Sequence, residues 1–78
     1  MTTTSAISKT LGMDLRAGMI IRDDIACRIV SVVPEYPGEV FVSVEDGNGY
    51  FYSMRLDSHT AYSTYNWSSE DWDMYRAL

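Results

Sequence analysis

The side chains able to do chemistry are few, and their spacing narrows what that chemistry is. Asp23 and Asp24 are adjacent carboxylates, a pair that acid–base work or cation binding would use. Set in "RDD" between two apolar runs, they read as the solvated bend of a turn. Asp46 and Asn48 in "EDGNG" resemble the opening of a calcium loop. The third acidic ligand and the distal bidentate glutamate of that loop are missing. Asp-Gly and Asn-Gly pairs instead supply the positive φ that primed hairpin turns require. His59 is the only histidine and Cys27 the only cysteine, so no internal disulfide and no cysteine-based zinc cluster can form. Cys27 lies in "IACRIVSVV", where a free thiol reads as a small buried hydrophobe. Neither a Gly-x-Ser-x-Gly elbow nor a glycine-rich phosphate cradle occurs. The expectation is a non-enzymatic chain with no cofactor and no metal.

The elements that must position these residues follow from pattern. "MII", Met19–Ile21, is a short buried run and a first strand. "IACRIVSVV", Ile25–Val33, is a second strand, in which Arg28 and Ser31 interrupt the apolar character and a bulge reconciles them. "PEYPGE", Pro34–Glu39, is a loop. In "VFVSV", Val40, Val42 and Val44 share one face. After the "EDGNG" hairpin, "YFYSMRL" sets Tyr50, Tyr52, Met54 and Leu56 inward against Phe51, Ser53 and Arg55. "AYSTYNW", Ala61–Trp67, is a last strand, and "SSEDWDMYRAL" a helix capped by Ser68 or Ser69. Glu70, Asp71 and Asp73 sit toward its positive N-terminus and Arg76 in its last turn. Residues 1–12 read as a flexible tail, and 13–78 as one mainly β domain. The expected architecture is a small five-stranded SH3-like barrel with a short C-terminal helix, closed on itself so that no sheet edge remains.

The stretch "DLRAGMIIRDDIACRIVSVV" is similar to the first strand and hairpin of the small barrel at the N-terminus of the elongation factor P family. Asp14, Leu15, Arg16, Gly18, Met19 and Ile21 match the family's opening phrase, and Arg28, Ile29, Val30 and Val33 its second strand. The resemblance covers residues 14–44. It implies the barrel, and with it a nucleic-acid or ribosome-associated role as an alternative function. The family's glycine-rich loop carries a modifiable lysine, whereas this chain has "PEYPGE" there, so the translation-factor activity does not carry over.

Charge and size exclude more. The net charge is −5 with a pI near 4.5, and the six basic residues, Lys9, Arg16, Arg22, Arg28, Arg55 and Arg76, are scattered. Nucleic-acid affinity comes largely from phosphate neutralisation, so direct nucleic-acid binding is disfavoured. The N-terminal "MTTTSAISKT" lacks the basic start and apolar run of a signal peptide. No stretch reaches the ~20 apolar residues of a membrane helix. A soluble, cytoplasmic protein is expected.

Ten of the 78 residues are aromatic, more than so small a core can bury. Tyr36 in its proline-rich loop, Phe51, and some of Trp67, Trp72 and Tyr75 are expected at the surface, where Tyr and Trp anchor protein interfaces. The acidic, aromatic C-terminus has two readings. One is a helix packed over an open end of the barrel. The other is a docking element whose carboxylates imitate nucleic-acid phosphates and engage a basic partner surface. The candidate partner-binding residues are therefore Tyr36, Phe51, Trp67, Glu70, Asp71, Trp72, Asp73 and Tyr75. The leading expectation is a protein-binding module suited to a small phage or mobile-element accessory or inhibitor protein. A third reading is a structural subunit of a homo-oligomer.

Overall fold

In the computed structural model, which describes residues 7–23 and 25–77, alternating side chains build one antiparallel sheet. Its strands are β1 (Ile7–Leu11), β2 (Ile20–Asp23), β3 (Ile25–Glu35), β4 (Glu39–Asp46), β5 (Phe51–Asp57) and β6 (Ala61–Tyr65), and one helix follows, α1 (Ser69–Arg76). The spatial order is β1-β6-β2-β3-β4-β5. The protein is thus mainly β with a short C-terminal helix. The sheet has six strands rather than five, and its ladder does not close into a barrel.

The extra strand is β1, in residues expected to belong to a flexible tail; residues 1–6 lie outside those described. "ISKTL" is too polar to announce a strand. It is held against β6 by backbone pairing from Ile7↔Tyr65 to Leu11↔Ala61 and by side chains. Lys9 Nζ donates to Ser63 Oγ at 2.8 Å, and the Thr10 and Thr64 hydroxyls meet at 2.9 Å. Its polar residues therefore find partners that only the folded chain supplies.

The sheet is open but strongly curled. The three-residue link from Asp57 to Ala61 reaches at most about 14 Å. Four flat interstrand spacings between β5 and β6 would require about 19 Å. The sheet must bend to bring those ends together. A 3₁₀ turn at Gly12–Asp14 bridges the seam, with Gly12 N–H donating to Thr60 O and Met13 N–H to Ser58 O, both at 3.0 Å. These bonds replace the ladder that a closed barrel would have. Gly12 is buried there, and a Cβ on it would run into the Asp57 carbonyl.

Bulging at Val30, between Ile29↔Val44 and Ser31↔Ser43, shifts the parity of β3. It lets Ile29 and Val32 both face the inner core, and it reconciles the polar interruptions of this strand. That core holds Leu15, Ile21, Cys27, Ile29, Val40, Val42 and Val44. Turning between β4 and β5 falls on the expected "EDGNG". Of the two glycines in this turn, Gly49 has positive φ and Gly47 does not, and Asp46 Oδ1 accepts from the N–H groups of Asn48 and Tyr50. Asp23 ends β2, and Asp24 lies outside the described residues.

A second core forms on the opposite face, from Ile20, Ala26 and Trp72 with Tyr65, Trp67 and Tyr75 around them. Here α1 lies across the sheet, not over an open barrel end. Ser68 caps it in a full capping box with Asp71. Eight residues do not hold a helix in water by themselves. Trp72, 0% exposed, supplies the packing that does.

Candidate functional site

Cross-strand register organises the outer face. One row of directly paired residues crosses the whole sheet: Ile7, Tyr65, Ile20, Arg28, Glu45 and Phe51. The helix covers the middle of this row and leaves Phe51 bare at the β5 edge. Beneath the helix, Arg28 donates to Glu45 Oε1 at 2.7 Å, and Arg76 Nη2 reaches Glu45 Oε2 at 3.7 Å. Glu45 is only 5% exposed. One desolvated carboxylate thus ties the helix C-terminus to β3 and β4. Trp72 lies under the Arg28 guanidinium at 5.8 Å, which shields the pair further.

Of the residues expected to bind a partner, the structure brings only some to the surface. Phe51 is 68% exposed and Tyr36, at the tip of the β3–β4 hairpin, 97%. They stand at opposite ends of β4 and do not form one patch, because Phe51 pairs with Glu45 at one end while Tyr36 follows Glu35, paired with Glu39, at the other. Glu70 and Asp73 are exposed on α1. Asp71, also exposed, is engaged in the cap. Trp72 is core and offers no contact surface, which corrects its expected role. Trp67 and Tyr75 are half-buried, Trp67 stacked on Tyr65 at 4.8 Å between ring centres and tilted against Tyr75 at 5.2 Å. The helix therefore presents carboxylates and Met74 outward, and its aromatics inward.

What sequence reasoning missed is Tyr50 and Tyr52, expected in the core. Tyr50 is 70% exposed and Tyr52 38%. With Phe51 they make a run of three consecutive aromatics at the start of β5. Alternation does place Met54 and Leu56 against the inner core. Tyr52 shares their face, with its phenol on Cys27, but stays partly open to solvent, and Tyr50 precedes the strand, directly after the hairpin glycine. The usable signal was their position right after the hairpin glycine. Next to this run, Asp73, Arg76 and Ala77 of the helix face Gly47 and Asn48 across a polar cleft.

Tyr52 reaches inward with its phenol, 2.9 Å from Cys27 Sγ. Burial pushes the Cys27 thiol up from its ordinary value. The hydrogen bond to Cys27, and then burial, push the Tyr52 phenol up as well. Both groups stay protonated at neutral pH, and a protonated buried thiol is a poor nucleophile. At the other end of the inner face, Met13, Leu15, Val32, Pro34 and Val40 line an apolar groove of about 410 Å³ with Arg16 on its rim. The Arg16 guanidinium donates to the carbonyls of Met13 and Leu15.

The remaining cations are largely committed. Besides the pair at Glu45, Arg55 donates to Glu35 at 2.6 Å and lies over the Phe41 ring at 5.4 Å. No helix among the described residues is long and apolar enough to cross a membrane. The fold and site define a small open-sheet protein with an aromatic edge strand and a helix docked on the sheet's outer face. In comparison with known proteins, no family model, curated protein or solved structure matches the chain.

Proposed function

We propose that this chain is a non-enzymatic protein-binding module, and that its contact surface is the aromatic start of β5. The observation that carries the reading is the exposure of Tyr50 and Phe51 at the entry to an edge strand that no further strand shields among the described residues. Clustered Tyr and Phe supply interface area at a low entropic cost, and such anchors dominate binding energy. Asp73 and Asn48 across the adjoining cleft give this surface a polar rim.

Direct nucleic-acid binding has less support. Stacking on aromatics needs a positively charged track for the backbone, and Arg28, Arg55 and Arg76 are each paired with a carboxylate. Phosphate mimicry by the helix is also weakened, because Asp71 serves the cap and Trp72 faces the core. The role in a cell that we favour remains that of an accessory protein acting through contact with another chain.

The test is retention of partners from host lysate by the wild-type chain and by a Tyr50→Ser/Phe51→Ser variant, with nuclease present, after circular dichroism has matched their folds. A protein captured by the wild type and lost by the variant supports the reading. Equal capture by both, or a catch that nuclease abolishes, overturns it.

A further inference from the structure

The two edges of the sheet are unlike. β1 has five residues and carries Lys9 at its centre, a device that discourages strand addition. β5 has seven residues in unbroken register with β4, from Phe51↔Glu45 to Asp57↔Glu39. It contains no proline and no lysine, and Arg55 is its one charge before the terminal Asp57. Two hydrogen bonds fix which way its backbone points. Asp46 N–H donates to Tyr50 O, so the even-numbered residues turn their polar groups toward β4. Asp57 N–H donates to the Tyr62 hydroxyl, away from β4. Backbone direction alternates along a strand. The N–H and C=O groups of Phe51, Ser53 and Arg55 therefore point outward, and among the described residues no strand pairs with them.

We infer that this edge is completed by β5 of a second copy of the chain, running antiparallel about a two-fold axis at Ser53. The inference rests on the reading of the β5 edge as a contact surface and names its occupant. In this register Ser53 faces its own twin, and Phe51 and Arg55 face Arg55 and Phe51 of the partner copy. Six hydrogen bonds then use every outward group of those three residues and none that is already engaged. Each Arg55 guanidinium comes to lie beside a phenyl ring, as it already lies over Phe41. The two Arg55 residues stay four positions out of register, about 13 Å apart. On the other face Tyr52 meets Met54 and Tyr50 meets Leu56, which covers the exposed tyrosines with apolar partners. Other registers do worse. A centre at Met54 or Arg55 demands the Asp57 N–H that Tyr62 holds, and a centre at Arg55 also opposes two like charges. A centre at Tyr52 leaves the Arg55 groups unpaired.

Sedimentation velocity and disulfide trapping of the full chain test this. The wild type is expected at twice the 8.9 kDa chain mass. Ser53→Pro removes an outward N–H and leaves the β4 ladder, which uses the even-numbered residues, intact; it is expected to raise the dimer dissociation constant more than about tenfold. In case proline disturbs the strand, a second pair of variants fixes the register. Hydrogen-bonded partners sit about 5.5 Å apart between Cα atoms, within disulfide reach. Oxidised Ser53→Cys should therefore cross-link and Arg55→Cys should not, while the buried Cys27 stays silent in both. A monomer at all concentrations with no Ser53→Cys cross-link overturns the inference, as does a dimer trapped through Arg55→Cys instead. Loss of self-pairing while the Tyr50/Phe51 variant still fails to capture a foreign protein removes only the second copy as occupant. Self-pairing with unchanged capture by that variant removes the foreign-partner reading and leaves the dimer standing.

Discussion

Truncating Trp72 to alanine separates a helix that is part of the core from one that is an exposed docking element. Its indole is fully buried among Ile20, Ala26 and the rings of Tyr65, Trp67 and Tyr75. Removing such a side chain costs about 3–5 kcal/mol, through lost burial plus the cavity left behind. A 78-residue domain has only about 4–12 kcal/mol in total, so a large share of the stability goes. The eight-residue helix has no other buried side chain to hold it. Urea unfolding followed by far-ultraviolet circular dichroism should show a midpoint lowered by more than about 1 M, with the remaining Trp67 as a fluorescence reporter. Trp72→Phe is the informative companion. The indole Nε1 finds no acceptor among the described residues. Phenylalanine thus loses some area but removes a buried unsatisfied donor, for a cost under about 2 kcal/mol. An alanine variant costing less than about 1 kcal/mol, or a phenylalanine variant costing as much as alanine, would refute the packing argument.

Glu45→Gln should cost about 1–2 kcal/mol rather than the larger penalty of a fully buried pair, because Arg28 and Arg76 keep side chains 37% and 40% exposed and water resolvates them. Differential scanning calorimetry should place its Tm roughly 4–16 °C below the wild type, and an unchanged Tm would show the tether to be idle. Gly12→Ala forces a methyl against the Asp57 carbonyl and should destabilise by about 1–3 kcal/mol; a neutral result by chemical denaturation would mean the seam is loose. Cys27 and Tyr52 both have folded-state values raised above 9.0 and 10.0. Folding then retains protons that the unfolded chain releases, so their contribution is fully present below pH 9 and is lost as pH rises above it. A Tm-against-pH series should fall on the alkaline side, less steeply for Cys27→Ala, and an identical slope for that variant would exclude the Cys27–Tyr52 pair as its source.

Local physics was enough to make β2 through β6 and the helix legible. Period-two alternation in "VFVSV" and "YFYSMRL" marks two faces of a strand wherever it lies. "EDGNG" turns because of its own backbone preferences, and Ser68 caps α1 with a residue three positions on. The bulge in β3 was readable too, since Arg28 and Ser31 cannot both be accommodated by strict alternation.

What the sequence alone determined, then, is roughly where β2 through β6 and the helix lie, where the chain turns between them, and which side chains of a strand share a face. Tertiary structure alone decided who the neighbours are. "ISKTL" becomes β1 only because Ser63 and Thr64 of β6 stand opposite its polar residues. The sheet is open, its seam bridged by the 3₁₀ turn at Gly12 through bonds to Thr60 and Ser58 rather than by a ladder. Trp72 is core and Tyr50 is surface, although Trp72 stands between two aspartates and Tyr50 in an aromatic run. An edge strand is defined by a neighbour it lacks, and pairing between residues distant along the chain is invisible to any pattern read within a single strand.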